Sequence, residues 1–184
     1  MLGTGVRSIR RSADSVELRI GDEVERFDRV VVATHADQAL ALLEDPTPDE
    51  RRILGGFAYT TNEAVLHTDS RLLPRTRSAR ASWNYRLGDD GRPTVTYHLN
   101  RLQALEAERD YCVTLNEDVP EEHVLERFTY EHPLYTLGTL RAQAELPRLA
   151  DAPTHFAGAH FGNGFHEDGL ASGVAVARAL GVEW

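Results

Sequence analysis

The sequence predicts a mixed α/β fold in which an antiparallel layer interrupts an α/β layer. Three observations predict it. Residues 30–33 (VVVA) are a short continuous apolar run, the pattern of a strand buried on both faces as in a parallel sheet. Residues 154–159 (THFAGA) read as a second buried strand near the other end of the chain, running into a glycine. Between them, residues 58–67, 81–87 and 94–99 carry the β-branched and aromatic enrichment of strands. The boundaries implied are 1–56 for the first part, 57–135 for the insertion and 136–184 for the return. A length of 184 residues suits one domain or two small ones.

Taken in order, residues 6–11 (VRSIRR) and 15–20 (SVELRI) alternate apolar and polar residues, with turns at 13–14 and 21–22. With a third short strand at 24–27 they predict an antiparallel meander. After the apolar run at 30–33, the leucines at 40, 42 and 43 predict a helix over 36–43, stopped by Pro46 and Pro48. Residues 49–54 suit one further helical turn. In the insertion, Gly88-Asp89-Asp90-Gly91 predicts a hairpin between its flanking strands. Residues 100–106 suit a short helix, and 111–115 and 124–130 two more strands. The return holds a helical period over 140–149, with Pro147 near its end. After the strand come a glycine-rich loop at 162–169 and a small-residue helix at 170–180, closed by Gly181.

Composition narrows the function. A formal charge of −9 argues against a general nucleic-acid binder, which needs Lys and Arg to displace counterions. No apolar run approaches the ~18 residues of a membrane span, and the first residues lack the apolar core of a secretory signal. A cytoplasmic location is the expectation. The single Cys112 excludes an internal disulfide and a cysteine-based zinc site. All 20 basic residues are Arg, so no lysine Schiff base, P-loop lysine or lysine general base acts here.

The best site candidate is 155–173, HFAGAHFGNGFHEDGLASG. It reads as strand, glycine-bearing loop and helix start. Gly158, lacking a Cβ after an apolar strand, lets the backbone approach a ligand closely. A helix starting near Gly169 offers free N–H groups and a positive dipole end, with Asp168 as its N-cap. Such an end stabilises a phosphate or a developing negative charge.

This segment resembles the C-terminal flavin-binding motif of the FAD-dependent amine oxidase and phytoene desaturase superfamily. The ordered set NEAVLHTD, ASWNY, TYHLNRLQ, VTLN, YEHPLYT and GFHEDGLASG, at 62–69, 81–85, 96–103, 113–116, 130–136 and 164–173, is similar to a bacterial group described as predicted NAD/FAD-binding proteins. The resemblance covers nearly the whole chain. It implies the C-terminal remnant of an FAD-binding Rossmann-like domain, at 1–56 and 136–184, around an inserted antiparallel substrate domain.

The same resemblance implies residue roles. Val6 matches a backbone contact to adenine, and Ala33 and Thr34 end the strand that passes the nucleotide half. Gly158 and Ala159 match the ribityl–pyrophosphate contact, with Ala159 where the superfamily usually has Glu. Phe165 matches an aromatic residue on the substrate side of the flavin. His166 matches the residue whose backbone N–H reaches flavin N1–C2=O, and Asp168, Gly169 and Leu170 supply the helix start below it. No catalytic residue is assigned.

Two departures shape the expected function. The superfamily begins with a βαβ unit carrying G-x-G-x-x-G, the pyrophosphate cradle. Gly3-Thr4-Gly5 is not that motif, since it follows no strand and Ser8 holds the third glycine position. The resemblance therefore implies the C-terminal part of a larger flavoenzyme, with an N-terminal FAD-binding segment as its missing partner and weak or no FAD binding alone. The second departure is the absent lysine, which amine oxidases commonly use to hold a water near flavin N5. The expectation is thus oxidation of a small apolar, lipid-like substrate by hydride transfer to FAD. The alternatives are a non-catalytic product needing a complementing half, and an amine oxidase.

Other readings are weaker. His155, His160 and His166 with Glu167 and Asp168 fit no metal-ligand spacing. Ser172 lies in A-S-G within a helix, not at a nucleophile elbow. Trp83, Tyr85, Tyr97 and His98 suit either a core or a substrate cavity, as do Tyr130, His132 and Tyr135.

Overall fold

The computed structural model describes residues 2–88, 91, 93–149 and 153–183. The turn expected at 88–91 lies partly outside the described residues. The first elements are β1 (Val6–Arg11), β2 (Val16–Ile20), β3 (Glu23–Phe27), β4 (Val30–Val32), α1 (Ala36–Leu42) and α2 (Pro48–Leu54). Then come β5 (Ala58–His67), β6 (Trp83–Leu87), β7 (Pro93–His98), α3 (Leu99–Leu102), β8 (Cys112–Leu115) and β9 (Val124–Leu134). The chain closes with α4 (Leu137–Glu145), β10 (Thr154–Phe156) and α5 (His166–Ala179). Helices and strands are mixed, as the sequence predicts. The chain divides into two compact units, residues 1–59 with 133–184, and residues 60–132. No helix among the described residues is long and apolar enough to cross a membrane.

The first unit holds a β1-β2-β3 antiparallel meander and a two-stranded parallel sheet of β4 and β10. In that sheet Val30, Val31 and Val32 stand opposite Thr154, His155 and Phe156. The apolar runs far apart in sequence therefore share one parallel layer. A single core joins these strands to the helices, with Ile9, Val16, Val32, Ala36, Leu43, Ile53, Leu54, Leu146 and Phe156 buried together. Burying each such side chain contributes about 1.5–3 kcal/mol before the entropy of ordering is counted.

Helix α2 is longer than the single turn expected at 49–54, because Thr47 and Glu50 form a reciprocal capping box and Pro48 presets the first helical residue. The buried Glu50 also takes both ends of the Arg11 guanidinium, at 2.6 and 3.0 Å. Helix α4 begins before residue 140. Thr136 accepts from the Thr139 N–H at 3.1 Å, and Pro147 confines the rest to a 3₁₀ turn, Leu146–Leu149. The helix expected at 100–106 is one turn only, since Ala104 takes a positive φ of 53°.

The second unit is built on a five-stranded sheet in the order β6-β7-β8-β5-β9. The β7–β8 and β5–β8 pairings place Thr96 and Val65 beside Thr114, and His98 and His67 beside Cys112, on one face. These residues are all buried. Most of these polar groups are paired: His67 Nε2 lies 2.8 Å from Thr114 Oγ1, Thr114 Oγ1 lies 2.9 Å from Thr96 Oγ1, and His98 Nε2 lies 2.9 Å from Asp110. His98 Nδ1 is buried with no hydrogen-bond partner among the described residues. The other face carries the row Trp83, Tyr97, Val113, Leu66 and the row Tyr85, Val95, Leu115, Ala64. Trp83 and Tyr85 are more than half exposed there. His98 thus does not share a face with Trp83, Tyr85 and Tyr97.

Candidate functional site

The two parallel strands end side by side, and the expected nucleotide contacts gather at that end. Gly158 follows β10 with φ 154° and ψ 166°, a region open essentially to glycine alone. A methyl group there would stand 2.6 Å from the His160 ring and 3.4 Å from the Thr34 carbonyl. Gly158 is therefore required by both conformation and space. The strand expected to reach 159 stops at Phe156, and Ala159–Phe161 forms a 3₁₀ turn.

Val6, Ala33 and Thr34 line one open depression of about 580 Å³, together with Gly5, the β4 valines and Leu42. Strand β4 pairs only with β10 among the described residues, and Val31 is exposed beside this depression. The structure thus brings Val6, Ala33 and Thr34 together and sets Gly158 near the end of the same strand, while Ala159 opens the following 3₁₀ turn and, like Gly158, does not line that depression.

The helix start is corrected by the structure. Helix α5 begins at His166, so Gly169 and Leu170 lie inside it rather than at its first residue, and half of the expected 162–169 loop is helical. The N-cap is Phe165, whose side chain has no oxygen to cap with. Asp168 is not the N-cap but the third helical residue. Its Oδ2 accepts from the N–H groups of Phe165 and Asn163, both at 2.9 Å. The cap is thus made backwards, from within the first turn. The N–H groups of His166 and Glu167 occupy the first turn, where an α-helix supplies no carbonyl partner. Phe165 is 69% exposed.

The loop between strand and helix is held from several sides. The Gly158 N–H donates to Ser172 Oγ at 2.9 Å, and that hydroxyl donates to the Gly169 carbonyl at 2.7 Å. Ser172 is thereby fully occupied, which agrees with a structural rather than nucleophilic role. The Gln143 carboxamide donates to the carbonyls of His160 and Gly162, at 3.0 and 2.5 Å. The Tyr135 hydroxyl donates to the Gly162 carbonyl at 3.4 Å. A side chain on Gly162 would collide with the Asp168 carboxylate, and one on Gly164, at φ 88°, would meet the Tyr135 hydroxyl at 2.7 Å.

Electrostatically this end is neutral inside and polar at its rim. Burial, assisted by the nearby His35, pushes the His160 pKa down to about 4. Its ring packs edge-on to Phe57 at 5.3 Å and tilted to Phe161 at 5.0 Å. Burial and the Asp168 carboxylate raise the Tyr135 pKa. His155 and His160 lie buried while His166 is exposed at the helix start, and among the described residues no group of three or more His, Cys, Asp or Glu converges for a metal ion. Gln143, Tyr135 and His160 were not among the expected cofactor contacts. Tyr135 lies within the YEHPLYT motif, but no local pattern marks Gln143.

These residues fit a nucleotide cofactor. A glycine conformation that a Cβ would destroy, the ends of two parallel strands and an open helix N-terminus are the features a ribityl–phosphate chain requires. Among curated protein sequences none matches the chain. Solved structures do. The chain is similar to a CLA-producing fatty acid isomerase from P. acnes, with a TM-score of 0.68 and 15% identity over 97% of this chain and 48% of that one. It is similar to a wild-type putrescine oxidase bound to putrescine, with a TM-score of 0.66 and 11% identity over 98% and 49%. It is also similar to a cyclohexylamine oxidase from Brevibacterium oxydans, with a TM-score of 0.59 and 14% identity over 96% and 48%. The chain thus spans about half the length of these structures. Residues 1–181 match the family described as flavin containing amine oxidoreductase, and the chain belongs to that family.

Proposed function

We propose that this chain supplies the C-terminal half of an FAD-dependent oxidoreductase that oxidises a small apolar substrate. The observation that carries the proposal is the glycine-only turn at Gly158 beside the paired ends of β4 and β10, where an added methyl would stand 3.4 Å from the Thr34 carbonyl and the Gly158 N–H is held by Ser172 of α5. The backbone of Gly158 and Ala159 holds the ribityl–pyrophosphate region, Val6, Ala33 and Thr34 the nucleotide half, and the His166 N–H the N1–C2=O edge. Phe165 faces the substrate side. Held by these residues, FAD would supply a two-electron acceptor for a hydride leaving a substrate C–H bond, with a proton lost from the substrate to solvent and the electrons passed on to a separate acceptor.

The apolar preference is supported by the open face of the five-stranded sheet. The residues that β6, β7 and β8 present there are Trp83, Tyr85, Leu87, Pro93, Val95, Tyr97, Val113 and Leu115, and none is charged. The absence of lysine weighs against amine oxidation, although putrescine and cyclohexylamine oxidases share the fold. The fatty acid isomerase of that fold is consistent with an acyl substrate.

A second reading, that the chain is non-catalytic until complemented, is supported by the single-sided pairing of β4. An N-terminal segment bearing the glycine-rich βαβ unit would complete both sheet and cradle. Co-expression with such a segment, followed by anaerobic addition of acyl compounds and simple amines, tests the proposal. Flavin bleaching by acyl compounds is expected. Rapid bleaching by amines alone would overturn the substrate preference.

A further inference from the structure

We infer that Gln143 is a positioning residue for the cofactor loop, holding 158–165 in its binding shape before any ligand arrives. The inference rests on the reading of that loop as a flavin contact. Its evidence is a fork: one carboxamide nitrogen donates to the carbonyls of His160 and Gly162, two residues apart on either side of Phe161. An amide NH₂ has two hydrogens, and here each has its own acceptor. The reversed amide would point its oxygen at two carbonyl oxygens, so the network itself selects the orientation.

The remaining pins are more local. Asp168 and Ser172 belong to α5, the helix that the loop runs into. Gln143 comes from α4, where the adjacent Ala142 is buried in the core of the first unit. A methyl on Gly56 would stand 2.6 Å from the Ala142 side chain, so α4 has little room to shift on that side. Gln143 therefore ties the loop to a helix packed into the core of the unit, and the Tyr135 hydroxyl adds a longer contact to the same Gly162 carbonyl. A loop ordered in advance binds its ligand without an ordering cost at the moment of binding.

The test uses the full chain without ligand. Gln143→Glu keeps the shape but presents two acceptors to two carbonyls, Gln143→Leu removes the polar group, and Gln143→Lys retains a donor of similar reach. Amide hydrogen exchange at 159–165 should accelerate on the order of tenfold or more in the Glu and Leu variants, the effect of losing two ordinary hydrogen bonds. Exchange at Cys112 and Thr114 should stay unchanged, and the Lys variant should stay close to the parent. Unchanged loop exchange in Gln143→Leu would overturn the inference, and so would loosening spread equally through α4 and the core. In the complemented enzyme, the Leu variant should also weaken FAD affinity about tenfold. If the complemented parent binds no FAD, the flavin reading fails while the exchange result still decides whether Gln143 orders the loop.

Discussion

The backbone N–H of Gly158 is bonded to the hydroxyl of Ser172, at 2.9 Å, so the end of the last strand is tied to the second turn of the final helix. Through the Gly169 carbonyl the same hydroxyl closes the link within the helix. Replacing Ser172 with Ala leaves the Gly158 N–H without its acceptor in a half-buried position. The expected loss is about 1–3 kcal/mol, measured by denaturant unfolding.

Gly158→Ala should cost a comparable amount by a different route. The new methyl meets the His160 ring at 2.6 Å, and φ 154° is closed to alanine. Strain of about 1–3 kcal/mol is expected, with local displacement of the strand end. A parent-like melting temperature and an unchanged His160 ring environment by NMR would show that the loop adapts freely.

Asp168 separates charge from geometry. Both of its loop hydrogen bonds use one oxygen, so Asp168→Asn retains an acceptor for Phe165 and Asn163. Its stability should stay within about 0.5 kcal/mol of the parent, whereas Asp168→Ala should lose about 1–2 kcal/mol. In a complemented enzyme Asp168→Asn should raise the flavin potential slightly, since a negative charge beside the helix start is removed. Equal destabilisation by Asn and Ala would show that the charge carries the structure.

Acid should weaken the fold in two stages. His160 is held neutral, with a folded pKa of about 4 against about 6.5 unfolded, so the unfolded chain binds more protons between those values. Stability should fall as pH drops from about 6.5 to 4, by up to about 3 kcal/mol from this group, and flatten below. Burial alone would raise the Glu50 pKa, but the hydrogen bonds from Arg11 and Thr47 outweigh it and hold it below the usual value. Its contribution is present above the unfolded carboxylate pKa and is lost as pH falls through the depressed folded value. His160→Phe keeps the packing against Phe57 and Phe161 and should flatten the first stage only. An unchanged pH slope in that variant would assign the first stage elsewhere.

Much of the first unit was legible in the sequence because its signals are local. Alternation over residues 6–20 marked the meander, and the continuous run at 30–33 marked a strand of a parallel pair. That strand is not buried on both faces, since β4 has a partner on one side only among the described residues and Val31 is exposed. The helix start was misread because Phe165 offers no capping oxygen and the glycines at 162, 164 and 169 suggest a loop. Asp168 caps from inside the turn, which spacing alone does not distinguish from an N-cap. In the second unit, the period of the strands was legible but not which face is buried. Alternation gives the faces and leaves the choice to packing, and here Thr96, His98 and Thr114 lie inside while Trp83 and Tyr85 face out. Gln143 was invisible because its partners lie 17 and 19 residues away and are backbone carbonyls, which carry no sequence signature.

The most direct test of the account is an FAD titration of the chain, alone and paired with an N-terminal segment carrying the G-x-G-x-x-G unit, each with and without Gly158→Ala. The paired parent should bind FAD with a yellow spectrum and release it on denaturation, since the single thiol, Cys112, is fully buried within the second unit and is not available for covalent attachment. The chain alone should bind little or none, and Gly158→Ala should abolish binding by the pair. A pair that folds together yet takes up no flavin, or a Gly158→Ala pair that binds it as tightly as the parent, would contradict the assignment of this loop as half of an FAD site.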